Sequence, residues 1–118
     1  MSKTVLVVDD EMLIALDIQS QLEDLGHKAL TASSLADALK VLEQSVVDAA
    51  IVDWHLRDEI SAPLIEMLIQ RKIPFVVCSG SALDELTGLF PAAPLLTKPF
   101  ANQDLVTALK KVVGGVVH

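Results

Sequence analysis

The chain alternates short apolar runs with stretches in which apolar residues recur every three or four positions. Thr4-Val5-Leu6-Val7-Val8 is β-branched and apolar, reads as a strand, and stops at Asp9-Asp10-Glu11. From Met12 to Leu25, the residues Met12, Ala15, Ile18, Leu22 and Leu25 fall at helical spacing, and Gly26 follows as a stop. Lys28-Ala29-Leu30-Thr31 predicts a short edge strand. Ser34-Leu35-Ala36-Asp37 has the form of a capping box and opens a helix with Leu35, Leu39 and Leu42 on one face. Asp48 to Asp53 is the central run, in which small and apolar residues lead into a single carboxylate, as in a strand buried on both faces. An ionised group is costly inside such a strand but not at its carboxyl end, where open α/β sheets bind their ligands.

Beyond this run, Ser61-Ala62-Pro63 predicts a helix start, with proline where no amide donor is missed, and Leu64, Ile65 and Leu68 form its buried stripe. Pro74-Phe75-Val76-Val77-Cys78 is a fourth strand, ending at Ser79-Gly80-Ser81. Ala82 to Leu89 has room for only a short helix before Gly88 and Pro91. Pro94-Leu95-Leu96-Thr97 is a fifth strand, ending at Lys98-Pro99-Phe100, and a last helix from Asn102 to Val113 turns Leu105, Leu109 and Val112 inward. Five strands alternating with helices predict an α/β fold, a flavodoxin-like (βα)5 doubly wound parallel sheet in strand order 2-1-3-4-5. In that order the first and third strands are neighbours at the switch point. Asp9, Asp10 and Asp53 then share one crevice, with Ser79 and Lys98 on the same edge.

Composition narrows the chemistry. The 118 residues suit one domain, and charges interrupt every apolar run before it reaches the length of a membrane helix. The amino terminus has no signal-peptide layout. A single cysteine, Cys78, excludes an internal disulfide, suits a cytoplasmic location and reads as a small buried hydrophobe. Nine basic against sixteen acidic residues gives a net charge of −7, which argues against a nucleic-acid surface. Three carboxylates in one crevice repel unless a cation shares the site, and an all-oxygen ligand set favours magnesium over zinc or copper. Lys98 supplies a mobile positive charge and Ser79 a hydroxyl, both suited to phosphoryl oxygens. One carboxylate, most simply Asp53 at the centre of the sheet, is then the nucleophile of a magnesium-dependent phosphoryl transfer.

Val7-Val8-Asp9-Asp10-Glu11, Val52-Asp53, Ser79-Gly80 and Lys98-Pro99-Phe100 together resemble the receiver domain of bacterial two-component response regulators, and the resemblance covers the whole chain. It implies that Asp53 accepts a phosphoryl group from a sensor histidine kinase or a histidine phosphotransfer protein. It also implies that Asp10, Asp53 and the backbone carbonyl of His55 ligate magnesium while Asp9 acts through water. Lys98 would pair with Asp53 or its phosphate, Ser79 would bond the phosphoryl group, and the Lys98-Pro99 peptide would be cis. Such a protein supports its own phosphorylation and dephosphorylation and turns over no external substrate. With no output domain after residue 111, the signal would leave through a downstream protein or a phosphorelay, from a monomer or weak homodimer.

Two departures bear on switching. The aromatic that the family carries three residues before the lysine is Leu95 here, and the loop Leu56-Arg57-Asp58-Glu59-Ile60 lacks the usual proline and glycine. Pro74 to Ser81 is similar to the Pro-Phe-x-Phe-Ala-Thr-Gly pattern of an alphaproteobacterial single-domain subclass that also lacks the aromatic. Without it, the switch is expected to fall on the segment after Ser79, through Gly80 and Ser81, which would order on phosphorylation. The alternative is a degenerate receiver that binds partners unphosphorylated. A flavodoxin-type cofactor site is disfavoured because Asp9-Asp10-Glu11 would repel a phosphate at that loop.

Overall fold

The computed structural model describes residues 3–57, 59–80, 95–98 and 100–113. Strand β1 (Thr4–Val8), helix α1 (Met12–Asp24), strand β2 (Lys28–Ala32), helix α2 (Leu35–Gln44) and strand β3 (Ala49–Asp53) follow in order. A two-residue hairpin, β4 (His55–Leu56) and β5 (Glu59–Ile60), comes next. Helix α3 (Ala62–Gln70), strand β6 (Phe75–Ser79), strand β7 (Leu95–Thr97) and helix α4 (Asn102–Val113) complete the described chain. The expected helix over 82–89, together with Ser81, Pro94 and Pro99, lies outside the described residues.

The main sheet runs β2-β1-β3-β6-β7, and every neighbouring pair is parallel. With the small hairpin set aside, this is the predicted 2-1-3-4-5 order. Strand alternation divides the core into two layers. Leu6, Val8, Ala50, Val52 and Val77 pack with Leu42 of α2 and with Leu64, Ile65 and Leu68 of α3. Val5, Val7, Ala49, Ile51, Val76 and Cys78 pack with Ala15, Ile18 and Leu22 of α1 and with Leu105 and Leu109 of α4. Both faces of β3 are covered, which explains its continuous apolar sequence.

Element ends show local chemistry at work. Ser34 caps α2 by accepting a hydrogen bond from the Asp37 amide at 3.1 Å. Asp48 precedes β3 and accepts from the Thr4 amide at 2.8 Å, tying the start of β1 to the start of its neighbour. The expected buried stripe of α1 needs correction at both ends. Met12 is 66% exposed and Leu25 is 45% exposed, so only Ala15, Ile18 and Leu22 enter the core. On α2, Leu42 is buried together with Ala38, while Leu35 and Leu39 pack from the margin. Among the described residues no helix is long and apolar enough to cross a membrane.

Candidate functional site

The site lies at the carboxyl ends of β1, β3, β6 and β7, where helices no longer cover the strand termini. β1 ends immediately before Asp9, which is 3% exposed, and β3 ends on Asp53, which is 6% exposed. The adjacent register Val8↔Val52 brings the two strand ends side by side. One carboxylate oxygen from each of Asp9, Asp10 and Asp53 can be chosen so that all three lie within 4.8 Å of one another. Asp9 is held in place because its Oδ1 accepts the Glu11 amide at 2.8 Å. The same bond orders the turn into α1, whose N-cap position falls on Glu11 without a side-chain cap.

Lys98 reaches this cluster from the end of β7. Its Nζ lies 2.9 Å from Asp53 Oδ2 and 3.1 Å from Asp9 Oδ2, with Glu11 Oε1 farther off at 3.9 Å. Its backbone amide donates to the Ser79 carbonyl at 2.8 Å, so strand pairing itself aims the lysine at the carboxylates. Ser79 is buried at the end of β6, opposite Thr97 of β7. Leu95 begins β7 and packs from the margin against the layer that contains Val77 and Trp54.

Electrostatics at the site are not balanced by the lysine alone. Burial pushes the Asp53 carboxyl above its ordinary value; the hydrogen bond and charge of Lys98 oppose this, and the charges of Asp9 and Asp10 reinforce it. Burial would lower the Lys98 ammonium, but its hydrogen bonds to Asp53 and Asp9, and their charges, hold it above the usual lysine value. One ammonium facing three carboxylates leaves a negative pocket of oxygen donors, the chemistry of a hard divalent cation. Cys78, next to Ser79 but turned into the core, has its thiol pushed up to about 12 by burial, which makes it an inert packing residue.

The sequence reading missed the organisation of the loop after Asp53. In place of an irregular segment, His55 pairs with Ile60 and Leu56 with Glu59, and Arg57 turns the chain at φ 52°. Ser61 closes this hairpin: its amide donates to the Trp54 carbonyl at 2.9 Å and its hydroxyl donates to the Asp53 carbonyl. Glu59 accepts from the amide of Leu35 at the start of α2 at 3.2 Å. The usable signal was Ser61 directly before an Ala-Pro helix start. His55 stands at the exposed base of the hairpin. Trp54 points into the core on the opposite side from Asp53, as strand alternation requires. Ser81 and the Lys98-Pro99 peptide lie outside the described residues.

Comparison with known proteins agrees with this arrangement. Residues 5–110 match the response regulator receiver domain family. The chain is 32% identical over 118 residues to the alkaline phosphatase synthesis transcriptional regulatory protein PhoP of Bacillus subtilis (strain 168), covering 96% of this chain and 49% of that protein. It therefore spans about half the length of this curated relative. Its fold is similar to the solution structure of SdrG from Sphingomonas melonis Fr1, with a TM-score of 0.81, 37% identity and coverage of 94% of this chain and 96% of that one. A solution structure of the BeF3-activated conformation of SdrG from Pseudomonas melonis Fr1 matches with a TM-score of 0.76 and 38% identity over 90% of this chain and 92% of that one. The strand order, the acidic strand ends and a family match over nearly the whole length lead to one conclusion: this chain belongs to the response regulator receiver domains.

Proposed function

We propose that the protein is a phosphoaccepting receiver in which Asp53 takes a phosphoryl group from a histidine kinase or histidine phosphotransfer protein. The observation that carries this reading is the Asp53 carboxylate: it ends the central strand, is 6% exposed, and has the Lys98 ammonium at 2.9 Å and two further carboxylates beside it. In the reaction, a carboxylate oxygen of Asp53 attacks the phosphorus of a donor phosphohistidine. The phosphorus–nitrogen bond breaks, its electron pair returns to the imidazole, and Asp53 becomes an acyl phosphate. Lys98 then exchanges its Asp53 contact for a phosphoryl oxygen, and the Ser79 hydroxyl donates to another. Attack of water on the phosphorus later breaks the bond to Asp53, releases inorganic phosphate and restores the carboxylate.

The donor set fits magnesium: all the ligand atoms are oxygens, they lie close together, and burial disfavours the charge on Asp53 until a cation offsets it. Asp10, Asp53 and the His55 carbonyl would hold the ion, with Asp9 acting through water. A bound magnesium ion supplies charge neutralisation and a coordination position for a phosphoryl oxygen. The output is a contact with another protein or onward phosphotransfer, consistent with a net charge of −7 that disfavours nucleic acid.

Incubation with acetyl phosphate, read by intact mass, tests this function. The expected result is addition of one phosphoryl group that requires magnesium and is lost on chelation. A chain that stays unmodified across donors and magnesium concentrations would instead be a degenerate receiver.

A further inference from the structure

We propose that Ser61 is a positioning residue for phosphoryl acceptance, its hydroxyl setting the His55 carbonyl relative to the Asp53 carboxylate. The inference rests on the roles proposed above for Asp53 and His55. The Asp53 carboxylate is fixed by the sheet, but the His55 carbonyl belongs to a loop that leaves the sheet one residue later. Nothing in the strand pairing of β3 with β1 and β6 reaches His55. Among the described residues, the last bond to the sheet on this path is the Trp54 amide donating to the Cys78 carbonyl at 2.8 Å.

Ser61 replaces the missing sheet contacts. It has 0% exposure, and it bonds the two residues that precede His55: its hydroxyl donates to the Asp53 carbonyl, and its amide donates to the Trp54 carbonyl at 2.9 Å. Ser61 is itself rigid, because its own carbonyl accepts the Ile65 amide at 3.0 Å in the first turn of α3. The path from Asp53 through the hairpin and back is therefore a closed ring anchored on a helix. Hydrogen bonding alternates along an antiparallel pair. With Trp54 and Ser61 bonded, His55 and Ile60 form the non-bonded pair, and the His55 carbonyl is left outside the hairpin ladder. It is available to a ligand, and its direction is set by the ring that Ser61 closes.

Loss of the hydroxyl would leave the buried Asp53 carbonyl without this donor and let the backbone rotate at Asp53 and Trp54. Support of this kind around a metal site affects affinity by about 10- to 100-fold. Ser61→Ala should therefore weaken magnesium binding about tenfold and slow phosphorylation by acetyl phosphate at a fixed low magnesium concentration. Ser61→Thr, which keeps the hydroxyl, should restore both to near wild type. Ser61→Gly removes the hydroxyl with a residue well tolerated at a helix N-cap and serves if the alanine variant does not fold. Val112→Ala, a buried change in α4 remote from the loop, supplies a destabilised control whose magnesium affinity should be unchanged.

The measurements are magnesium calorimetry, phosphorylation by intact mass, and Tm for each variant. Wild-type magnesium affinity in folded Ser61→Ala or Ser61→Gly would overturn the role of Ser61, as would equal weakening in Val112→Ala. A wild-type protein that neither binds magnesium nor takes up phosphate would overturn the underlying reading of the site instead.

Discussion

The chemistry of single residues turns on Asp53, which the fold holds in a setting that disfavours its charge. Burial comes first, the charges of Asp9 and Asp10 add to it, and Lys98 only partly offsets them. Because the folded pKa lies above the unfolded value, the native chain binds more protons than the unfolded chain between the two. The contribution of Asp53 to stability then falls as pH rises through that window, and stays lost above it. Asp53→Asn removes the titration. In metal-free buffer its Tm should match wild type below the ordinary aspartate range and exceed it at pH 7. A Tm above wild type at pH 7, with no difference at low pH, is the readout that the raised Asp53 carboxyl predicts. Magnesium should shrink or reverse the difference, because it stabilises only the charged site. Equal Tm values at pH 7 without metal would mean that Lys98 fully compensates the buried carboxylate.

The element that sets the site's behaviour is the hairpin of β4 and β5, together with Ser61. It joins Trp54, buried in the core layer of α2 and α3, to the proposed metal ligands within two residues. Magnesium should therefore alter the emission of Trp54, the only tryptophan, and Asp10→Ala should shift the transition to higher magnesium by at least several-fold. A titration flat by both fluorescence and calorimetry would contradict a metal site.

This hairpin is also where the sequence was least legible. β3 and β6 could be read from composition because strands covered on both faces stay apolar until their last residue, and α3 from Pro63 and the stripe of Leu64, Ile65 and Leu68. Asp9, Asp10, Asp53, Ser79 and Lys98 were legible because strand ends converge by topology, whatever the detail between them. Two paired residues on each side of a turn leave no periodicity, and Arg57 adopts its φ of 52° without the glycine that usually marks such a turn. Met12 misled for a related reason. Spacing alone placed it on the buried face, but Met12 opens the helix and lines a groove with Asp9 and Asp10, where it stays exposed while Ala15, one turn on, is buried.

Across the whole molecule, the doubly wound architecture separates stability from chemistry. Two apolar layers hold the sheet, and the polar groups that remain collect at one edge, where β1, β3, β6 and β7 end together. The central claim is that this edge exists to make Asp53 a phosphoacceptor. Its most direct test is to map the modified residue after exposure to acetyl phosphate or a histidine-kinase donor with magnesium, in wild type and in Asp53→Asn. Phosphate on Asp53 in wild type, with no modification in Asp53→Asn above the level seen without donor, is the predicted result. Wild-type levels of labelling in Asp53→Asn, carried by another residue, would contradict it.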